Sequence, residues 1–228
     1  SKNKSLPWSE SLIERYADKW NWGWEGLSSN ESLPWSEELI ERYADKWDFG
    51  ILSGNDSLPW SNTLIERYKD KWCWVALSTN ESLPWSAPFF ERYEDKWSWW
   101  RLSENEALPW SETLIERYKD EWNWRGQLMD AEYFHNSPPA QWINWKTSLS
   151  NNNSLPWSEA FIERYKNKWD WEILSENESL PWSESFIEGC EDTSSRIKRE
   201  WRWDLLGHNK SVIRLFRNWT KQEISSAL

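Results

Sequence analysis

Leu33-Pro34-Trp35-Ser36-Glu37-Glu38-Leu39-Ile40-Glu41-Arg42-Tyr43-Ala44-Asp45-Lys46-Trp47 is the stretch whose pattern decides the fold. Ser36 is a natural helix N-cap, able to accept from the first unpaired N–H groups, and Glu37 and Glu38 sit where the helix dipole favours acids. With Ser36 as cap, Trp35 and Ile40 have the spacing of a hydrophobic staple. Leu39, Ile40, Tyr43 and Trp47 then fall on one stripe of an amphipathic helix of about three turns. Asp48 follows as a second cap, for a shorter helical or 3₁₀ turn through Phe49, Ile51 and Leu52. Ser53-Gly54-Asn55 is a polar stop before the next Leu-Pro.

The pattern recurs. Leu-Pro-Trp-Ser begins at Leu6, Leu33, Leu58, Leu83, Leu108, Leu155 and Leu180, with successive gaps of 27, 25, 25, 25, 47 and 25 residues. The long gap equals 25 plus 22, with Pro138-Pro139 near where Leu-Pro-Trp would fall, so it reads as one decayed unit at about 128–153, giving about eight units. Gly23-Trp24 is a small insertion in the first connector. The last unit runs 19 residues from Trp182 to Trp201, against 12 from Trp157 to Trp169, which predicts a longer helix there. Repeats are expected over 1–209 and a C-terminal capping helix over 210–228. Ser1-Lys2-Asn3-Lys4-Ser5-Leu6 aligns with Ser28-Ser29-Asn30-Glu31-Ser32-Leu33, so the chain opens inside a motif and its N-terminus reads as incomplete.

One unit exposes too much indole and aliphatic surface to be stable alone, because its buried area does not offset the entropy of ordering it. Identical neighbours can complete one another, so the expected fold is all-α: an α-solenoid of stacked 25-residue units, each one three-turn helix plus a short helical or 3₁₀ turn. The unit matches no tetratricopeptide, ankyrin, HEAT or leucine-rich consensus. It resembles short tryptophan-rich tandem helical repeats of the α-solenoid type, a resemblance that implies architecture and names no activity.

Composition narrows the function classes. The chain has 25 Trp, 2 Cys, 2 His and a net charge of -11. Acidity with interleaved basic residues argues against phosphate-backbone binding, and no apolar run approaches a membrane span. Cys73 and Cys190 occupy unrelated repeat positions, neither a disulfide framework nor a metal clip, so a soluble protein in a reducing, cytoplasmic compartment is expected. Secretion stays open because of the incomplete N-terminus. The triplets Asn30-Glu31-Ser32, Asn55-Asp56-Ser57, Asn80-Glu81-Ser82 and Asn177-Glu178-Ser179 recur at one position and read as turn chemistry rather than glycosylation sites.

No catalytic motif, phosphate loop or metal-ligand cluster is present, so no enzyme activity, cofactor or metal is expected. His135 and His208 read as polar surface or loop residues. Two tryptophan sets read as structural: Trp8, Trp35, Trp60, Trp85, Trp110, Trp157 and Trp182 before the caps, and Trp20, Trp47, Trp72, Trp97, Trp122 and Trp169 at the end of the stripe, joined by Trp22. The Glu-Arg pairs from Glu14-Arg15 to Glu163-Arg164 suggest a salt-bridge ladder between neighbours that sets register. Against this constancy, Gly50-Ile51, Val75-Ala76, Trp100-Arg101, Arg125-Gly126 and Glu172-Ile173 vary freely, and Trp24 and Trp100 lie off the regular register as candidate exposed aromatics. One variable site per unit would form one stripe, the expected recognition surface for another protein or for copies of the chain; drift at tolerant positions is the competing reading. Binding of carbohydrate or a small ligand through exposed Trp is a second hypothesis, and single-stranded nucleic acid, disfavoured by charge, a third.

Overall fold

In each repeat the serine of Leu-Pro-Trp-Ser starts a helix. Ser36, Ser61, Ser86, Ser111 and Ser158 lie in extended backbone, and each side chain accepts from the N–H three residues on. The helices they open are Glu37–Arg42, Asn62–Arg67, Ala87–Arg92, Glu112–Arg117 and Glu159–Arg164, preceded by Glu10–Arg15 and followed by Glu184–Glu188. A second helix follows in most repeats, a short one at Phe49–Leu52, Trp74–Leu77, Trp99–Leu102 and Trp203–Leu206 and one as long as the first at Trp171–Glu176. Asp48 and Asp170 cap two of these. The computed structural model describes residues 3, 5–126, 148–188 and 201–216; among them every regular element is helical and there is no strand. The described part of the terminal segment is the helix Lys210–Leu215, capped by Asn209. The extra length expected between Trp182 and Trp201 lies outside the described residues.

The main helix is shorter than the sequence predicts. It ends at Arg42 and its equivalents, and the following tyrosine leaves helical geometry, with φ -120° and ψ 30° at Tyr43. Tight turns then carry the chain to Trp47 through bonds from the N–H groups of Lys46 and Trp47 to the Tyr43 carbonyl, at 2.9 and 3.1 Å. These turns keep the chain coiling, which is why the apolar stripe persists across a break in the helix. The break frees the carbonyl of the fourth helical residue, and an indole takes it. Nε1 of Trp20, Trp72, Trp97 and Trp169 donates to Ile13, Ile65, Phe90 and Ile162 at 3.2, 3.2, 2.9 and 3.0 Å. The tryptophan before each cap donates five residues back, as Trp35 does to Asn30 at 3.0 Å, and its ring meets the tryptophan twelve residues on, 5.0 Å between Trp35 and Trp47.

The chain divides into two compact units, 1–109 and 110–228. Within the first, each repeat inserts its second aromatic between the tyrosine and tryptophan of the next. Trp22 lies 4.9 Å from Tyr43 and 4.6 Å from Trp47; Phe49 lies 4.9 Å from both Tyr68 and Trp72; Trp74 lies 4.8 and 4.9 Å from Tyr93 and Trp97. Beneath the rings runs a buried polar ladder. The hydroxyls of Ser28, Ser53 and Ser78 accept from the backbone N–H 20 residues on, at Asp48, Cys73 and Ser98. Nδ2 of Asn55, Asn80 and Asn105 donates to the carbonyls of Ser28, Ser53 and Ser78, 27 residues back, at 3.3, 3.1 and 3.0 Å. Each asparagine also accepts at Oδ1 from the N–H two residues on, closing the turn that the Asn-x-Ser triplets predicted.

The second unit uses the same contacts and corrects one sequence reading. Trp124 lies 4.8 Å from Tyr165 and 4.7 Å from Trp169, so the repeat with Trp110 and Trp122 meets the repeat with Trp157 directly. Residues 148–153 are therefore not the tail of a decayed unit at 128–153. Leu149 donates to the Asn123 carbonyl at 2.8 Å, the Ser150 hydroxyl to the Trp124 carbonyl at 2.6 Å, and Asn177 to the Ser150 carbonyl at 3.1 Å. Leu149, Ser150 and Asn152 thus close the repeat begun at Leu108. The extra 22 residues of the long gap enter and leave within one connector, and Pro138-Pro139 lies outside the described residues.

Two substitutions test these bonds by urea unfolding. Trp72 and Trp47 are equally buried, but Nε1 of Trp47 has no partner among the described residues; Trp72→Phe should cost about 1–2 kcal/mol more than Trp47→Phe. Asn80→Ala removes two side-chain bonds and orphans the Ser53 carbonyl, so a loss of about 2–4 kcal/mol is expected.

Candidate interaction surface

Four of the variable dipeptides sit in the second helix, just before its leucine, which is buried at Leu52, Leu77, Leu102 and Leu174; Arg125-Gly126 lies outside any helix. The first member of the pair points away from the core: Gly50, Val75, Arg125 and Glu172 are exposed. The second lies closer in. Ile51, Ala76, Arg101 and Gly126 are half-buried and Ile173 is buried, so Ile173 is removed from the expected recognition stripe. The helical turn imposes this difference, since adjacent residues point about 100° apart and only one can face outward.

Trp100 departs from expectation as well. It is half-buried, with the Arg101 guanidinium 4.0 Å from its ring centroid, and Arg101 pairs with Glu104 at 3.3 Å. Trp24 is 58% exposed, as its off-register position suggested. Arg125 reaches into the next repeat, donating through Nε to the Lys168 carbonyl at 3.1 Å and through Nη2 to that of Asn167. It is exposed yet committed to the fold.

Both insertions emerge at this dipeptide site. In an uninterrupted repeat, Leu52 donates to the Asp48 carbonyl at 2.9 Å. Leu27 makes the same bond to Asn21 across Gly23–Gly26, and Leu149 makes it to Asn123 across the long insertion, both at 2.8 Å. After each insertion the short α-helix gives way to a 3₁₀ turn, Leu27–Ser29 or Leu149–Asn151. The first insertion requires its last glycine, because a Cβ on Gly26 would stand 1.9 Å from the Asn21 carbonyl oxygen.

The Glu-Arg pairs form only part of the expected ladder. Arg67 meets Glu41 of the preceding repeat at 3.1 Å. Arg42 and Arg164 instead meet Glu10 and Glu112, at the first helical position, at 3.3 and 2.6 Å. These pairs are exposed and contribute at most a fraction of a kcal/mol. Glu66 and Glu116 bond to Lys69 and Lys119 in the turns that follow their helices and accept from the Tyr93 and Tyr165 hydroxyls of the next repeat. The lysine bond first, then the tyrosine bond, holds each carboxyl below its ordinary value. Burial first, then the carboxylate, pushes both tyrosines up to about 12.

A further inter-repeat feature concerns the lysine before the stripe tryptophan, which lies over the second aromatic of the preceding repeat: Lys46 over Trp22 at 5.8 Å, Lys71 over Phe49 at 5.0 Å and Lys168 over Trp124 at 5.4 Å. Among the described residues no group of His, Cys, Asp and Glu could hold a metal, and no helix is long and apolar enough to cross a membrane. His208 is exposed and bonded through Nδ1 to the Asp204 carbonyl at 2.8 Å, and Cys73 is exposed. His135 and Cys190 lie outside the described residues.

The raised tyrosines give a pH dependence with a definite sign. Their stabilising contribution is complete below the ordinary tyrosine value near 10 and is lost as pH rises through about 12. The melting midpoint should fall across that window, less steeply in a Tyr93→Phe/Tyr165→Phe variant, and phenolate absorbance should show these two tyrosines ionising late.

No family model matches the chain, and no curated protein or solved structure matches it.

Proposed function

We propose that the chain is a non-enzymatic repeat scaffold of the α-solenoid type, binding another protein or its own copies along the face that carries the variable dipeptides. The supporting observation is that sequence variation and both insertions fall at one repeat position, while the residues joining neighbours stay constant. Repeat proteins place insertions on one face, often the binding face, because only residues that touch no neighbour are free to change. Gly50, Val75 and Glu172 are exposed members of this face, and Trp24 adds an aromatic to it. The exposure of Trp24 also favours a second reading, stacking of a sugar on that indole.

The test compares a stripe variant, Gly50→Arg/Val75→Glu, with a control variant, Thr63→Arg/Asp70→Arg, in quantitative capture of interacting proteins. The stripe variant should lose capture at an unchanged melting midpoint while the control retains it; equal capture by both removes the stripe. Oligosaccharide quenching of tryptophan emission that disappears in Trp24→Ala would favour the sugar reading.

A further inference from the structure

Eight Asn-x-Ser/Thr triplets occur in the chain, each with the spacing that an asparagine-linked glycan requires of its acceptor. Six of them, at Asn30, Asn55, Asn80, Asn152, Asn177 and Asn209, fall on the turn position of the polar ladder, where no asparagine is more than 4% exposed. The ladder needs a primary amide there, because one group must donate to the preceding repeat and accept from its own turn. Nδ2 of Asn55, Asn80, Asn177 and Asn209 donates to the carbonyls of Ser28, Ser53, Ser150 and Ser175 at 3.3, 3.1, 3.1 and 3.1 Å. Oδ1 of the same residues accepts from the N–H of Ser57, Ser82, Ser179 and Ser211. The third residue of the triplet has a use as well: the Ser179 hydroxyl donates to Asn153 Oδ1 at 3.2 Å and the Ser211 hydroxyl to the Glu178 carbonyl at 2.9 Å, each one repeat back. Stacking alone therefore writes the acceptor triplet into repeat after repeat.

The atom that a glycan would occupy is the atom that joins the repeats. Transfer forms a bond between asparagine Nδ2 and the anomeric carbon of a lipid-linked oligosaccharide. The bond from that carbon to the diphosphate oxygen breaks, the lipid diphosphate leaves, and Nδ2 gives up one proton. A sugar ring has no room on a buried nitrogen that lies within hydrogen-bond distance of a neighbouring carbonyl. We propose that N-glycosylation and repeat stacking exclude one another in this chain: an oligosaccharide attached to a ladder asparagine before folding keeps two repeats apart, and a folded chain presents none of these nitrogens to the transferase.

The order of the two events decides the outcome. A chain translated into a compartment that holds the transferase is marked while its repeats are still separate, whereas one that stacks first is immune at these positions. The fold therefore suits a compartment without that enzyme. Asn105 supplies an internal control, since it makes the ladder bond to Ser78 at 3.0 Å and accepts from the N–H of Ala107. Alanine at the third position thus removes the acceptor triplet and leaves the ladder bond in place.

The test translates the full chain into endoplasmic-reticulum microsomes, where the nascent chain meets the transferase unfolded. Ser5→Ala and Thr220→Ala are present in every form, so that glycans report on the ladder alone. Glycosylated chains released by detergent should be digested by trypsin at least about tenfold faster than chains made with the transferase inhibited, because cleavage follows the population of the open form. A variant with alanine ending all six ladder triplets should be equally resistant with and without the inhibitor. The parent folded beforehand and mixed with solubilised transferase and lipid-linked oligosaccharide should gain no glycan. A glycosylated chain as resistant as the inhibited one, or a glycan on a ladder asparagine of the prefolded chain, overturns the proposal. None of these substitutions touches the variable face, so the proposed capture by that face stands or fails separately.

Discussion

Everything in the fold depends on the buried bond between asparagine Nδ2 and the serine carbonyl of the preceding repeat. Buried amides must be satisfied or they cost stability, and here each asparagine bonds through both its side chain and its backbone. For Asn80, the side-chain N–H group donates to Ser53, Oδ1 accepts from Ser82, the backbone N–H donates to Leu77, and the carbonyl accepts from the Trp85 indole. A shift of one residue between neighbours would orphan both the Asn80–Ser53 bond and the bond from the Cys73 N–H to the Ser53 hydroxyl at once. The aromatic slots provide most of the burial, but flat rings tolerate sliding. The polar ladder fixes the step at which they meet.

That division explains which positions are free to change. A residue that fills a slot or joins the ladder touches two repeats, so slot positions stay aromatic, Phe49 included, and ladder positions stay Ser or Asn in most copies. The outward residue of this site fills no slot and joins no ladder. There the chain varies from Gly50 to Glu172, whose only inter-repeat bond among the described residues is an exposed ion pair with Arg202, and accommodates insertions. Arg125 is instructive because it varies and still binds the next repeat, through carbonyls that any side chain would leave in place. Variation is therefore confined by contact geometry, and the candidate surface follows from the interface beneath it.

The helix caps and the all-helical character were legible in Ser36, Asp48 and the spacing of Leu39, Ile40, Tyr43 and Trp47. The end of the helix at Arg42 was not. Nothing in Ala44-Asp45-Lys46 breaks a helix, and the indole that satisfies the freed carbonyl seven residues away, at Trp20, Trp72, Trp97 and Trp169, leaves no mark in the sequence. The ladder was visible as constancy of Ser and Asn, but apolar periodicity is blind to buried polar groups, so those residues read only as a turn. The long gap misled because 47 is nearly two periods. Leu149-Ser150-Asn151-Asn152-Asn153-Ser154-Leu155 matches Leu52-Ser53-Gly54-Asn55-Asp56-Ser57-Leu58, which places the extra residues inside one repeat. Ile173 was unreadable as buried because size alone does not say which way an adjacent residue points.

The interchangeability of the slots bears on how such a gene changes length. Each described repeat within a unit offers its successor an aromatic ring, Trp or Phe, and a serine carbonyl at the same positions. Loss or duplication of a whole 25-residue period by replication slippage or unequal crossing-over then joins two surfaces already matched, and the new seam carries no misfit. A deletion of any other length that removes slot or ladder residues breaks the phase between asparagine and serine, whereas the variable site has absorbed extra residues without doing so. Selection on folding alone thus confines length change to whole periods or to that one site, leaving copy number as the easiest heritable variable.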